Sequence, residues 1–93
     1  MTETTHALAL DTIRAQVHQF IMQNFLFDGV SPQIDDNASL LEHGIVDATG
    51  VLELMLFVED SYGLQVSEAD LTPENFDTVG NIARYIARRL ANT

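Results

Sequence analysis

Apolar side chains recur at spacings of three and four near the start of the chain. Leu10, Ile13, Val17, Phe20, Ile21 and Phe25 form one stripe, while Arg14, Gln16, Gln19 and Gln23 fall elsewhere. That is the period of an amphipathic helix. It predicts a helix from about Leu8 to Phe25, with Asp11 near its positive end. A second apolar run, Val51, Leu52, Leu54, Met55, Leu56, Phe57 and Val58, covers more than one helical face. Such a helix is either central to the core or offers an apolar patch to a partner. It should run from Ala48, capped by Asp47, to Tyr62, with Gly63 as a left-handed stop and Glu53, Glu59 and Asp60 on its wet side. Thr72-Pro73-Glu74 has the cap, first-position proline and acidic first turn of a short helix. The last helix starts near Thr78, carries Val79, Ile82, Ala83, Ile86 and Leu90 on one stripe, and sets its arginines against the negative end of the helix dipole.

Between the first two helices, Phe27 to Asp47 reads as a long loop. Gly29, Ser31-Pro32, Asp35-Asp36-Asn37 and Gly44 are turn formers, and Ile34, Leu40, Leu41, Ile45 and Val46 are expected to pin the loop to the core. A loop of that length in a small domain signals function or a specific architecture. Leu64-Gln65-Val66 alternates too briefly to make a sheet. The expected fold is all-α: a small four-helix bundle of three main helices and one short one. Residues 1–7 are expected as a flexible N-terminus and 8–91 as a single domain.

Composition narrows the function. A chain of 93 residues that is 46% hydrophobic is one globular domain rather than a disordered tail. Fourteen acidic residues face four arginines and no lysine, for a net charge of −10. The imbalance is local: from Asp28 to Asp77 there are twelve acids and no basic residue, and Arg84, Arg88 and Arg89 lie in the last ten positions. This excludes a nucleic-acid binder that neutralises phosphates and disfavours docking on an anionic membrane. It points to a basic protein partner; an acidic mimic of nucleic acid needs only the net charge and has no motif behind it. The longest apolar run, Leu54 to Val58, is far short of a membrane span. The first residues lack the basic start and apolar stretch of a signal peptide, so a cytoplasmic protein is expected.

Catalytic and metal chemistry find little support. With no cysteine there is no disulfide, thiolate zinc site or cysteine nucleophile. The acidic loop from Asp35 fails as a calcium loop, with Leu40 where a glycine is needed and Val46 where a bidentate Glu is needed. His6, His18 and His43 form no ligand set, and His18, off the apolar stripe, is expected to be exposed. Serines 31, 39, 61 and 67 have no nucleophile setting. Nothing argues for an enzyme.

The informative segment is Leu41-Glu42-His43-Gly44-Ile45-Val46-Asp47-Ala48-Thr49-Gly50-Val51-Leu52-Glu53-Leu54. It resembles the phosphopantetheine-attachment region of acyl and peptidyl carrier proteins, where a glycine and apolar residues lead into Asp-Ser at the start of the second helix. The resemblance extends to Tyr62-Gly63-Leu64, to Leu71-Thr72-Pro73-Glu74-Asn75-Phe76 and to Thr78-Val79 with Ile82 in the final helix. It implies a stand-alone, monomeric acyl or aminoacyl carrier protein, with its cargo held as a thioester on a 4′-phosphopantetheine arm. Its partners would be a phosphopantetheinyl transferase and adenylating ligases or other acyl-transfer enzymes with basic docking surfaces.

The attachment position is Ala48, where the family has serine, beside Asp47. Alanine has no oxygen, and Thr49 is turned by about 100° along the helix. An engineered Ser-to-Ala apo form is favoured over a naturally unmodified adaptor that binds a basic partner. Carried over by position, Asp47, Glu53, Leu56, Glu59 and Asp60 are the candidate partner-binding residues. Gly50 departs from fatty-acid-synthesis carriers, which often have an acid there, and is more like D-alanyl and other ligase-loaded carriers. Phe20, Phe25, Phe57 and Ile82 either line a chain-sheltering cavity or make an ordinary packed core.

Overall fold

The computed structural model describes residues 9–25 and 35–92. Four α-helices follow in order: α1 (Leu10–Phe25), α2 (Ala48–Tyr62), α3 (Pro73–Phe76) and α4 (Val79–Ala91), with one 3-10 turn (Glu68–Asp70) between α2 and α3. No strand occurs among the described residues, so the all-α expectation holds. The expected helix start at Leu8, the stretch 1–7, and Gly29, Ser31-Pro32 and Ile34 of the loop lie outside the described residues.

The core forms where the apolar periods meet. Ile13, Val17 and Ile21, one turn apart on α1, are fully buried. They belong to the same cluster as Val79, Ile82, Ala83 and Ile86 of α4, and α1 packs chiefly against α4. Helix α2 contributes Leu54 and Val58. It ends as the sequence predicts: Gly63 adopts φ 68 and ψ 32, and its N–H donates to the Glu59 carbonyl at 3.0 Å. A left-handed residue costs glycine nothing because it has no Cβ. Thr78 caps α4, its Oγ1 accepting the Asn81 N–H at 2.9 Å.

The described part of the long loop is bolted down at two places. Asp35 makes a tight turn, accepting the Asn37 N–H on its carboxylate and the Ala38 N–H on its carbonyl. Asp36 then bridges two helices: its carbonyl accepts the Gly80 N–H at 2.9 Å and its carboxylate pairs with Arg14 Nε at 2.8 Å. Asp77, between α3 and α4, holds the next residues. Its carboxylate accepts the Ser39 hydroxyl at 2.6 Å and the Leu41 N–H at 2.9 Å, and its carbonyl accepts the Leu40 N–H at 2.7 Å.

These ties correct two expectations. Leu41 is not pinned inside; it is 44% exposed, while Leu40 and Val46 are buried. With both N–H groups of Leu40 and Leu41 fixed on Asp77, consecutive side chains diverge and only Leu40 faces the core. His18 is half-buried rather than exposed, because Asp36 folds back onto α1 and shares a shallow pocket with His18, Arg14 and Asp11.

The segment after α2 is extended, with Leu64 buried and the Val66 N–H donating to Glu59 Oε2 at 2.9 Å. Arg89 of α4 fixes its far side, donating to the Gln65 carbonyl at 2.8 Å and to the Tyr85 hydroxyl at 2.6 Å. That hydroxyl donates in turn to Asp70 of the 3-10 turn at 2.7 Å. The terminal arginines therefore do more than oppose the helix dipole. Burial, then the hydrogen bond to Asp70, pushes the Tyr85 phenol above its ordinary pKa, with Arg89 pulling the other way. No described helix is long and apolar enough to cross a membrane.

Candidate functional site

The site is built at the start of α2. Asp47 is the N-cap, with extended backbone (φ −107, ψ −172), and its Oδ1 accepts the Gly50 N–H at 2.8 Å. Its carbonyl accepts the Val51 N–H at 3.0 Å. Ala48 and Thr49 follow in the first turn and are exposed; Gly50 is buried. A Cβ at Gly50 would lie 2.9 Å from both Phe25 Cε1 and Val46 Cγ1. The glycine therefore lets the end of α1 and the preceding loop close on the first turn of α2, and an acid there would not fit beside Phe25.

From position 48 an exposed stripe runs along α2 at intervals of four: Ala48, Leu52, Leu56 and Asp60, with Thr49 and Glu53 beside it. Leu52 and Leu56 are 50% and 52% exposed, so α2 both enters the core through Leu54 and Val58 and offers an apolar pair to solvent. Of the expected partner-binding residues, the structure puts Glu53, Leu56 and Asp60 together on this face. Asp47 spends one carboxylate oxygen on its cap, and Glu59 is half-buried with one oxygen on Val66 N–H. Leu52 was missed; counting four residues on from Ala48 finds it. The ion pairs among the described residues use Asp11, Asp36 and Asp70, leaving the acids of this stripe outside them.

Two spaces flank the helix. Below its first turn, Leu41, Val51, Leu71, Thr72, Pro73, Phe76 and Asp77 enclose a small, mainly apolar pocket of about 80 Å³. On the other side, an open groove of about 390 Å³ runs between α1 and α2, lined by Gln16, Gln19, Phe20, Gln23, Phe57, Ser61 and Tyr62. Its floor is an aromatic stack. The Phe20 and Phe57 rings lie 4.2 Å apart nearly parallel, with Phe25 edge-on to Phe20 and Tyr62 edge-on to Phe57. Of the four residues weighed as cavity lining, Phe20, Phe25 and Phe57 pack on one another and Ile82 is fully buried. The Tyr62 hydroxyl donates to Gln16 Oε1, and burial raises its phenol pKa.

No cluster of three or more histidine or acidic side chains suited to a metal occurs among the described residues. His43 is engaged locally, its Nδ1 2.8 Å from the Ser39 carbonyl.

No family model matches the chain. Curated relatives do. Aminoacyl carrier protein 2 of Bradyrhizobium diazoefficiens is 32% identical over 76 residues, covering 82% of this chain and 80% of its own. The acyl carrier protein of Thermotoga maritima is 33% identical over 62% of this chain and 69% of its own. The D-alanyl carrier protein of Abiotrophia defectiva is 26% identical over 61% and 72%. With its helix order, its capped α2 and these relationships, the chain belongs to the carrier protein family.

Proposed function

We propose that this chain is a stand-alone acyl or aminoacyl carrier whose serine-bearing form holds its cargo on a 4′-phosphopantetheine arm at position 48. The observation that carries this reading is the start of α2. Position 48 is exposed directly after a carboxylate cap, where a helix N-terminus favours the phosphodiester of such an arm. When bound, the arm supplies a thiol that carries the cargo as a thioester. The surroundings fit the group; the side chain does not. Ala48 offers no hydroxyl, so the chain as written takes no arm.

The remaining residues act by docking. Glu53, Asp60 and the free oxygens of Asp47 and Glu59 steer a basic enzyme surface toward α2, and Leu56, with Leu52, supplies the apolar anchor. A phosphopantetheinyl transferase and an adenylating ligase are the partners this face suits. The Ser-to-Ala change fixes the apo form. A second reading, an adaptor that never bears an arm and binds a basic partner, draws on the same Ala48 and keeps the same docking face.

Intact mass after treatment with a broad-specificity pantetheinyl transferase and coenzyme A tests the carrier reading. The chain as written should gain nothing, and Ala48→Ser should gain one pantetheine arm. A serine variant that stays unmodified overturns the carrier reading and leaves the adaptor.

A further inference from the structure

We propose that the groove between α1 and α2 receives an aromatic side chain of a partner enzyme, carried on a segment with basic residues on either side of it. This rests on the reading of α2 as the docking helix.

Charge around the groove picks out the occupant. The chain carries a net charge of −10, yet no charged side chain lines this groove. Gln16, Gln19 and Gln23 supply the α1 side, and Phe57, Ser61 and Tyr62 the α2 side. The acids stand just outside. Glu53 and Asp60 are exposed and lie one helical turn before and after Phe57, so both border it on α2. Neither takes part in the ion pairs found among the described residues. They are separated by about 10 Å along the helix axis. An uncharged floor between two unpaired carboxylates matches an apolar tip between cations. A second copy of this chain is a poor match, because two bodies at −10 repel and the large apolar side chains exposed among the described residues are leucines. Leu56, next to Phe57 in the chain, keeps the groove continuous with the docking face.

The floor selects an aromatic tip. The Phe20 and Phe57 rings stack at 4.2 Å, and Tyr62 stands edge-on to Phe57 with centroids 5.9 Å apart. The Tyr62 hydroxyl is held by Gln16, so the floor is set before a guest arrives and little further ordering is needed. All three rings are only partly buried. A further ring can join them edge-to-face or offset, a gain an aliphatic side chain does not make. Room is adequate: a cavity of about 150 Å³ takes benzene, and this groove holds about 390 Å³. The surplus leaves space for the backbone of the segment that carries the ring. Glutamine side chains, each both donor and acceptor, suit the amides of that backbone.

Fluorescein-labelled pentapeptides with two lysines on each side of a central phenylalanine, leucine or alanine serve as probes, with affinity read by anisotropy. Their outer lysines span about 13 Å when extended, enough to bracket Glu53 and Asp60. At low salt the phenylalanine peptide should bind about tenfold tighter than the alanine peptide, with leucine between them. All three should weaken as salt rises. Joint Glu53→Gln and Asp60→Asn should weaken every peptide and keep the tenfold ratio; a double variant that weakens none overturns the flanking role of the acids. Ser61→Phe, at an exposed position, supplies the groove with a ring of the chain's own and should bring the ratio close to one. Equal affinity of the phenylalanine and alanine peptides for the parent chain overturns this inference alone, as does a ratio that survives both Ser61→Phe and Phe57→Leu. Free N-acetylphenylalanine amide binding as tightly as the phenylalanine peptide overturns the partner segment in favour of a small ligand. If no peptide binds, the docking reading of α2 falls, and this inference with it.

Discussion

Replacing Asp77 with alanine should loosen the approach to the site without touching it. The carboxylate accepts two hydrogen bonds, from the Ser39 hydroxyl at 2.6 Å and the Leu41 N–H at 2.9 Å. Bonds to a charged acceptor contribute about 1.5–3 kcal/mol each, but Asp77 is half-exposed and water replaces part of what is lost. About 1 kcal/mol for each bond is the reasonable share, or about 2 kcal/mol in all. The Leu40 N–H bond to the Asp77 carbonyl survives, as do the ties of Asp36 to Gly80 and Arg14, so the loop stays attached. In a domain of this size the loss corresponds to a fall in Tm of about 8–16 °C. Asp77→Asn should lose roughly half as much, since one amide oxygen can keep the Leu41 N–H while the amide N–H₂ faces a hydroxyl able to accept. Urea unfolding of the two variants measures both values. An alanine variant within about 0.5 kcal/mol of the parent would refute the clamp and with it the account of why Leu41 faces outward.

Three further outcomes are expected. Gly50→Ala should lower stability by up to about 2 kcal/mol, because crowding Phe25 and Val46 at 2.9 Å outweighs the helix-propensity gain; a stabilised variant in urea would show that Phe25 yields freely. Both tyrosines have native pKa values raised above the ordinary 10.0, so their contribution to stability is intact below pH 10 and is lost as pH climbs through the native values. Tyr62→Phe or Tyr85→Phe should flatten that alkaline decline in denaturant curves, and an unchanged slope would remove the phenol from the account. Glu53→Lys should slow loading of the serine form by a partner ligase or transferase, with the deficit shrinking at high salt; an equal rate at low salt takes Glu53 off the docking face.

Much of the fold was written in local signals. Asp47, Gly63, Thr72-Pro73 and Thr78 each fix a backbone geometry on their own, and every described helix boundary they predict is observed. The short turn at Glu68–Asp70 escaped notice because its partner is distant: Tyr85 and Arg89 secure it from α4, fifteen or more residues away. Leu41 and His18 were misjudged for the same reason, since Asp77 and Asp36 reach them across the chain. Within the site, the Asp47 cap was legible from its residue type before the apolar run, and position 48 from the resemblance to carrier proteins. That Glu59 serves the backbone of Val66 and that Thr72 keeps an unpaired oxygen are facts of three-dimensional placement, which hydropathy does not encode.

The two tyrosines have a use of their own. The chain has no tryptophan, so Tyr62 and Tyr85 are the dominant chromophores of its near-ultraviolet spectrum. They sit in different seams, Tyr62 against Phe57 beside α1 and Tyr85 against Phe76 between α3 and α4. Each single Tyr→Phe variant therefore isolates an optical reporter for one seam. If the two signals vanish together on heating, the bundle is one cooperative unit; if the Tyr62 signal fades first, α2 swings away while α3 and α4 remain folded. Partner enzymes that grip α2 would then be holding the part of the protein that opens most readily.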